Sequence, residues 1–186
     1  QATGSERQVF KLLHKLHLGE ESVALSSLNL SKHEYKRWSE LDFVLVLPEG
    51  LLVIEVKGGR ASAENGKWSY VSGRSGREKI VEKYESPMAQ AQSGFSAIKR
   101  FLDKEIGKNL VDRGTNGFCV AFPKTTKNQA SHFIGGTEMP SELIATKEDC
   151  RDVNAFKVFI ERVFKYHSRS GKGRGWLPLE RLKIVS

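Results

Sequence analysis

The pattern of apolar and polar positions is clearest in two almost uniformly apolar runs, at residues 41–47 and 51–56, which only three residues separate. A near-continuous apolar run of this length is typical of a strand that is buried on both faces. A short connection that contains proline and glycine is typical of a turn between two strands. The two runs therefore predict a β-hairpin at the centre of the fold.

Apolar residues recur at helical spacing in three other segments, which predict three helices. Ser5 is expected to cap the first helix, with Gln8 reaching back as its capping-box partner. The second helix is expected to have Ser86 as its cap and Pro87 at its first position. The apolar stripes consist of Val9, Leu12, Leu13 and Leu16, of Ala91, Phe95, Ile98 and Leu102, and of Phe156, Phe159, Ile160 and Val163.

Further strands are expected at residues 22–30, 67–71 and 117–122, which are rich in the apolar and aromatic residues that strands favour. The resulting order of helix, strands, helix, strand and helix predicts an α/β fold with a central mixed β-sheet flanked by helices. Residues 125–136 are expected to form a long loop, and residues 168–186 a flexible basic linker or tail.

The length of the chain, 186 residues, allows one well-buried core and is too short for two. The sequence has no apolar run long enough to cross a bilayer, and Cys119 and Cys150 are too far apart to signal a disulfide framework or a zinc site. We therefore expect a single domain in a reducing cytoplasm. Because the first residue is not methionine, we also expect a fragment of a longer protein.

Basic residues outnumber acidic ones by 30 to 22, which gives a formal net charge of +8. Such an excess is typical of proteins that meet a polyanion, with nucleic acid as the first candidate. Many basic proteins bind no nucleic acid, so the charge becomes informative only beside a site with matching chemistry.

Two charged residues, Glu55 and Lys57, interrupt the second apolar run at positions two apart. Side chains alternate along a strand, so both emerge on the same face of the predicted sheet. A second acid, Asp42, lies in the neighbouring apolar run. Buried charges are costly unless they face each other or a metal ion, so the three residues are expected to converge.

This arrangement of acids and lysine suits metal-assisted hydrolysis of a phosphodiester bond. Asp42 and Glu55 would hold a hard divalent cation together with the backbone carbonyl of Val56. Lys57 would orient or help to deprotonate a water molecule that the ion activates. The pattern leaves one alternative open, a structural cluster of ion pairs without chemistry.

The segments around these residues read Ser-Glu-Leu-Asp-Phe-Val-Leu-Val at 39–46 and Gly-Leu-Leu-Val-Ile-Glu-Val-Lys-Gly-Gly at 50–59. They resemble the core of the NERD domain, the nuclease-related domain of the PD-(D/E)XK nuclease superfamily. Glu6, at the start of the first helix, and Gln90, in a Pro-x-x-Gln pattern, match the same family. The resemblance covers residues 6–102 well and the segment after it loosely.

The resemblance implies a restriction-endonuclease-like core over residues 1–186 and a nuclease that acts on DNA with Mg²⁺ or Mn²⁺. It gives Glu6 the role of an auxiliary acid, and Gln90 that of a group that positions water or phosphate. Without it, Glu6 is an ordinary acid of a first helical turn and Gln90 a surface residue. The family is often joined to helicases and other DNA-processing modules. The alternative is a nucleic-acid-binding module with this fold that is weakly active or inactive without such a partner.

Basic residues outside this site are expected to contact the DNA phosphates. Residues 72–77 predict a turn that carries two of them. Trp68 and Tyr70, in the strand before it, suit cross-strand packing better than stacking on bases. The four candidates for DNA binding are Arg74, Arg77, Lys79 and Lys172.

The register of the predicted hairpin decides whether the site can form, because a slip of one residue moves all the side chains of a strand to the other face. Asp42 and Glu55 share a face only if Val44 lies opposite Val53, or if a β-bulge lies near Asp42. We predict one of these two solutions. The opposite face is then expected to contain Leu41, Phe43, Leu52, Ile54 and Val56.

Overall fold

A computed structural model describes residues 3–16, 21–30, 39–48, 50–74, 77–107 and 114–170. Its helices are α1 (Gly4–Lys15), α2 (Pro87–Ile106), α3 (Lys127–Ala130) and α4 (Val153–Ser170). Its strands are β1 (Val23–Leu30), β2 (Ser39–Leu47), β3 (Gly50–Val56), β4 (Arg60–Glu64), β5 (Lys67–Arg74), β6 (Arg77–Lys83), β7 (Gly117–Ala121) and β8 (Ile144–Ala145). A short 3-10 turn, Ser141–Leu143, precedes β8.

Five strands form a mixed sheet in the order β1-β2-β3-β7-β8, and β4, β5 and β6 form a separate antiparallel sheet. The pairs β1–β2 and β2–β3 are antiparallel, whereas β3–β7 and β7–β8 are parallel. Parallel neighbours need a long crossover. The small sheet and α2 supply it between β3 and β7. The predicted α/β fold with a mixed central sheet flanked by helices is confirmed.

Helices or the small sheet cover both faces of the large sheet, so the core has two parts. One face packs against α2 through Leu41, Val44, Val46, Leu51, Val53, Ala97, Ile98 and Leu102. The other face packs against α1, α4 and the small sheet, and includes Phe43, Leu45, Leu47, Leu52, Ile54, Val56, Val9, Phe156, Phe159, Trp68 and Tyr70. Burial on both faces explains why β2 and β3 are apolar at nearly every position.

The register of β2 and β3 is the one that the sequence predicted, with Val44 opposite Val53. That register was expected to leave residues 47–50 as a loop, but Leu47 pairs with Gly50 and only two residues connect the strands.

One residue of β2 lies on the face of the sheet opposite to the predicted one. Leu41 was expected beside Phe43, but it packs with Val44 on the α2 face. The β1–β2 pairing is interrupted at Asp42, where Ser27 of β1 has a left-handed φ of 53°. This local distortion breaks the alternation of side chains between Leu41 and Phe43.

The first helix is capped by a different residue from the one predicted. Thr3 is the N-cap of α1, and its hydroxyl accepts a hydrogen bond from the amide of Glu6. Glu6 lies three residues after Thr3 and completes the capping box, whereas Ser5 is buried inside the first turn. The prediction for α2 is confirmed, with Ser86 as N-cap and Pro87 at the first position.

Several segments differ from their predicted structure. The chain reverses direction within the predicted turn at 72–77, where Arg74 at the end of β5 pairs with Arg77 at the start of β6, but the strand β6 itself was not predicted. The sequence did not predict β6, because all seven of its residues are exposed and the strand lacks the apolar pattern of a strand in the core. The predicted loop at 125–136 contains α3, and α4 includes residues 168–170 of the predicted linker. Residues 171–186 lie outside the described part of the chain. No helix among the described residues is long and apolar enough to cross a membrane.

Candidate active site

The end of β3 forms the base of the site, because β3 lies between β2 and β7 in the large sheet. The amide of Lys57 donates to the carbonyl of Ala121 at 2.9 Å, which extends the parallel pairing past the end of β3. Gly59 then turns the chain toward the small sheet with φ at +80°, and a Cβ there would lie 2.6 Å from the carbonyl oxygen of Val71. Glycine is therefore required at position 59, where the chain leaves the large sheet after Lys57.

Lys57 brings two other predicted residues together. Its Nζ donates to Oε1 of Glu55 at 2.5 Å and to Oε1 of Gln90, in the first turn of α2. The Gln90 amide donates in turn to Oε2 of Glu85 at 3.1 Å. Lys57 is 9% exposed, so its charge depends on these acceptors. The sequence did not single out Glu85, because an acid just before a capping serine has no distinguishing signal.

Asp42 lies in the same charged neighbourhood. Its Oδ2 accepts a hydrogen bond from the amide of Val56 at 2.7 Å. Burial, and then the neighbouring charge of Glu55, raise the pKa of Asp42 to about 7, with Glu6 adding to the rise while the Val56 amide and Lys57 oppose it. The charged form of Asp42 is therefore unfavourable, first because the carboxylate is buried and second because Glu55 repels it. A proton or a cation would relieve the repulsion.

The sequence offered two interpretations of Glu6, as an acid of the first helical turn or as an acid that acts on the site, and the contacts of Glu6 agree with both. Its carboxylate accepts from the amide of Thr3 at 3.1 Å and from the Thr3 hydroxyl at 2.8 Å, as a capping acid does. Its charge also acts on Asp42 and raises the pKa of that residue. The capping box thus holds Glu6 beside the site.

A cavity of about 830 Å³ opens between the start of α1, the end of β3 and the small sheet. The basic side chains around it are Lys57, Arg60, Lys79, Lys83 and Lys124, and the one acid among its lining residues is Glu6. The cavity therefore has an excess of positive charge, even though Lys57 and Arg60 form ion pairs with Glu55 and Glu78. A polyanion is the ligand that this field favours.

Alternate residues of β6 provide one wall of this cavity. Lys79, Val81 and Lys83 line it. They lie opposite Ser72, Tyr70 and Trp68 in β5, so the basic side chains share the face of the small sheet that packs toward the core.

The acidic residues of β6 lie on its other face. Glu78 forms an ion pair with Arg60 at 2.7 Å, and Glu82 forms one with Lys67 at 2.7 Å. The alternation of charge along β6 therefore sorts acids and bases to opposite faces. Glu78 offsets the charge of Arg60, whereas Glu82 pairs with Lys67 and leaves the charges of Lys79 and Lys83 at the cavity wall.

The four candidate DNA-binding residues have different positions. Lys79 lines the cavity, and Arg77 is exposed at the start of β6 on the same face by alternation. Arg74 ends β5 and pairs with Arg77 through the backbone. Lys172 lies outside the described residues. The sequence missed Lys83 and Lys124, because nothing local shows which lysines face a cavity.

Tyr70 is a further residue of the cavity that the sequence assigned only to packing. It is 7% exposed, which agrees with a packing role, and it also lines the cavity. Its hydroxyl is buried and has no hydrogen-bond partner. Burial and the charge of Glu55 raise the pKa of Tyr70, so the hydroxyl remains protonated.

The oxygen donors of the site suit a hard divalent cation. Among the described residues, no group of three or more His, Cys, Asp or Glu side chains could hold a metal ion. Mg²⁺ needs fewer, because it binds through one or two carboxylates and keeps several water molecules. Asp42 and Glu55 provide two carboxylates, and a cation would offset both the burial of the Asp42 charge and its repulsion by Glu55, which together raise the pKa of Asp42.

The fold and the charged site together define an α/β domain with a nuclease-like core. The family model of the nuclease-related domain, NERD, matches residues 2–121, from α1 to the end of β7. The chain therefore belongs to the NERD family, which confirms the resemblance seen in its sequence. The family indicates a nuclease-related function with nucleic acid as the class of substrate. No curated protein and no solved structure matches the chain significantly.

Proposed function

We propose that this domain is a nuclease that hydrolyses DNA phosphodiester bonds with Mg²⁺ or Mn²⁺. The observation that carries the proposal is the meeting of Asp42, Glu55 and Lys57 beside a cavity with excess positive charge. Acids that repel each other suit a metal ion, and the basic cavity suits the phosphates that the ion would act on.

Asp42 and Glu55 would hold the ion through their carboxylates, with the Val56 carbonyl as a third protein ligand. When bound, such an ion polarises the scissile phosphate and lowers the pKa of a bound water molecule. The Val56 amide orients Asp42 by its hydrogen bond to Oδ2, so this carboxylate is fixed before a ligand arrives.

Lys57 would be the catalytic lysine. Its Nζ is held by Glu55 and Gln90, and so its position is defined. From there the ammonium group would orient the attacking water and offset the charge that develops on the phosphorane. Gln90 would position Lys57 or the water, and Glu6 would act as an auxiliary acid by its effect on Asp42.

Basic residues at the cavity would bind the DNA backbone. Lys79 lines the cavity, and Arg77 lies two residues before it on the same face of β6. Arg74 and Lys172 complete the proposed set. Phosphate contacts of this kind supply affinity without sequence specificity.

The alternative is a nucleic-acid-binding module that cuts little until a partner, such as a helicase, activates it. The observation that favours it is the short ion pair between Lys57 and Glu55. This pair occupies a carboxylate that the metal ion would need. A partner or substrate that separates the two side chains would then switch the site on.

The test is incubation of supercoiled plasmid with the wild-type protein in Mg²⁺, Mn²⁺ or EDTA, beside a Glu55→Gln variant. We expect nicked or linear products only from the wild type with a metal ion. Equal products from both proteins would identify a contaminant. DNA binding without cleavage in any metal ion would favour the binding module.

A further inference from the structure

The hydroxyl of Tyr70 is a buried polar group without a hydrogen-bond partner in the described structure. Tyr70 is only 7% exposed, and its Oη is buried and makes no hydrogen bond. Buried hydroxyls without partners are uncommon, because the lost hydrogen bond to water is not replaced. Such a group calls for an explanation, and a ligand that completes the hydrogen bond is one.

The position of Tyr70 shows where that ligand would be. The residue lines the basic cavity, on the same face of the small sheet as Lys79 and Lys83. The charge of Glu55 acts on Tyr70, so the hydroxyl lies within electrostatic reach of the proposed metal site. Tyr70 therefore belongs to the cavity that Lys79 and Lys83 line, and it also lies within reach of the charge of Glu55.

The chemistry of the cavity defines the kind of acceptor. Tyr70 remains protonated and can donate, and the surrounding lysines and arginine favour an anion. A hydrogen bond from a neutral hydroxyl to an anionic oxygen is short and strong. A phosphate oxygen meets both requirements.

We propose that the Tyr70 hydroxyl donates a hydrogen bond to a non-bridging phosphate oxygen of nucleic acid bound in this cavity. This inference rests on the proposed function, which supplies the substrate. It gives the small sheet a direct part in substrate binding. The aromatic ring packs in the core, and the hydroxyl contacts the substrate.

The test is Tyr70→Phe, which removes one oxygen and keeps the ring. DNA affinity is measured by fluorescence anisotropy in EDTA at low salt, and cleavage is measured in Mn²⁺. We expect affinity or cleavage rate to fall by about tenfold to a hundredfold, the usual effect of losing a hydrogen bond to a charged group. The thermal midpoint should stay equal or rise, because a buried group without a partner is lost.

Tyr166→Phe is the matched control, since Tyr166 belongs to α4 and does not line this cavity. It should leave affinity and rate unchanged. Wild-type affinity and rate in Tyr70→Phe would overturn the inference while cleavage by the wild type still supports the nuclease. A fall in thermal midpoint with the loss of binding would also overturn it, because the hydroxyl would then be structural.

A wild type that binds DNA but never cuts would remove the nuclease, and the affinity of Tyr70→Phe in EDTA would still decide the inference. A wild type that neither binds nor cuts would overturn both.

Discussion

At the scale of single residues, Asp42 combines burial with the repulsion of Glu55, and its pKa is about 7 instead of the ordinary 3.8. Between these values the folded protein keeps a proton that the unfolded chain has released. Stability therefore falls as the pH rises from about 4 to about 7, and stays level above that. The direction is opposite to that of an acid held in a salt bridge.

Asp42→Asn cannot ionise but keeps an oxygen that accepts from the Val56 amide, so it should lack this fall. We expect the variant to be more stable than the wild type above pH 7, by on the order of 2 to 4 kcal/mol at about 1.4 kcal/mol for each unit of pKa. The difference should vanish near pH 4. Urea unfolding at several pH values measures it.

Asp152→Asn is the control with the opposite sign. The amide of Ala155 donates to Asp152 and holds its pKa below the ordinary value. The stability that ionised Asp152 contributes is present above pH 4 and is lost as the pH falls through the lowered pKa of this residue. An Asp42→Asn protein no more stable than the wild type at pH 7.5 would contradict the raised pKa of Asp42.

Lys57 should affect the rate without being needed for metal binding. In Lys57→Met, Glu55 loses its ion-pair partner and is free to bind a cation, so Mn²⁺ affinity should persist or rise. Cleavage should slow by about a hundredfold or more, as expected for a positioned catalytic group. Calorimetric titration and plasmid cleavage measure the two effects.

Lys99→Met removes a comparable lysine from α2, where Lys99 pairs with Asp103 at 3.0 Å. This control should cut at the wild-type rate. A Lys57→Met protein that also cuts at that rate would remove the lysine from the mechanism.

At the scale of elements, β6 directs its bases to the cavity and its acids away from it. Lys79→Ala with Lys83→Ala should weaken DNA binding and lower the salt dependence of log K by about 0.9 for each lost phosphate contact. Anisotropy titrations at several salt concentrations give that slope. The fold should persist, because both side chains are exposed.

Lys67→Ala with Lys157→Ala removes the same charge from the opposite face of the small sheet and from α4. This control should keep nearly the wild-type slope. Equal losses in the two double variants would mean that net charge, and not the wall of the cavity, determines affinity.

At the scale of the whole molecule, a bound ion should stabilise the fold, because the unfolded chain has no assembled site. A ligand at about one hundred times its Kd adds about 2.7 kcal/mol. For a chain of this size that raises the thermal midpoint by roughly 5 to 10 °C. Calorimetry with Mn²⁺ should show the rise in the wild type and none in Asp42→Asn. A rise in both proteins would mean that the ion binds elsewhere.

Much of the fold could be predicted because its signals are local. Uniform apolar runs identified β2 and β3, and Ser86 with Pro87 identified the start of α2. The exposed strand β6 and the two-residue β8 were missed, since neither has the apolar alternation of a half-buried strand. The cap of α1 was misassigned because Thr3 and Ser5 are both good caps, and only the structure shows which amide each one meets.

The sequence by itself determined that Glu55 and Lys57 share a face, because alternation along a strand is a property of the backbone. The register that brings Asp42 to them was predicted from the requirement that the charged side chains share a face, because both faces of β2 and β3 are apolar and burial does not distinguish the registers. Tertiary structure alone decided that Tyr70 and Lys124 face the same cavity. Tyr70, Lys124 and the end of β3 are far apart in the sequence. They line one cavity because of the way in which the small sheet packs beside β3. No local pattern encodes that packing.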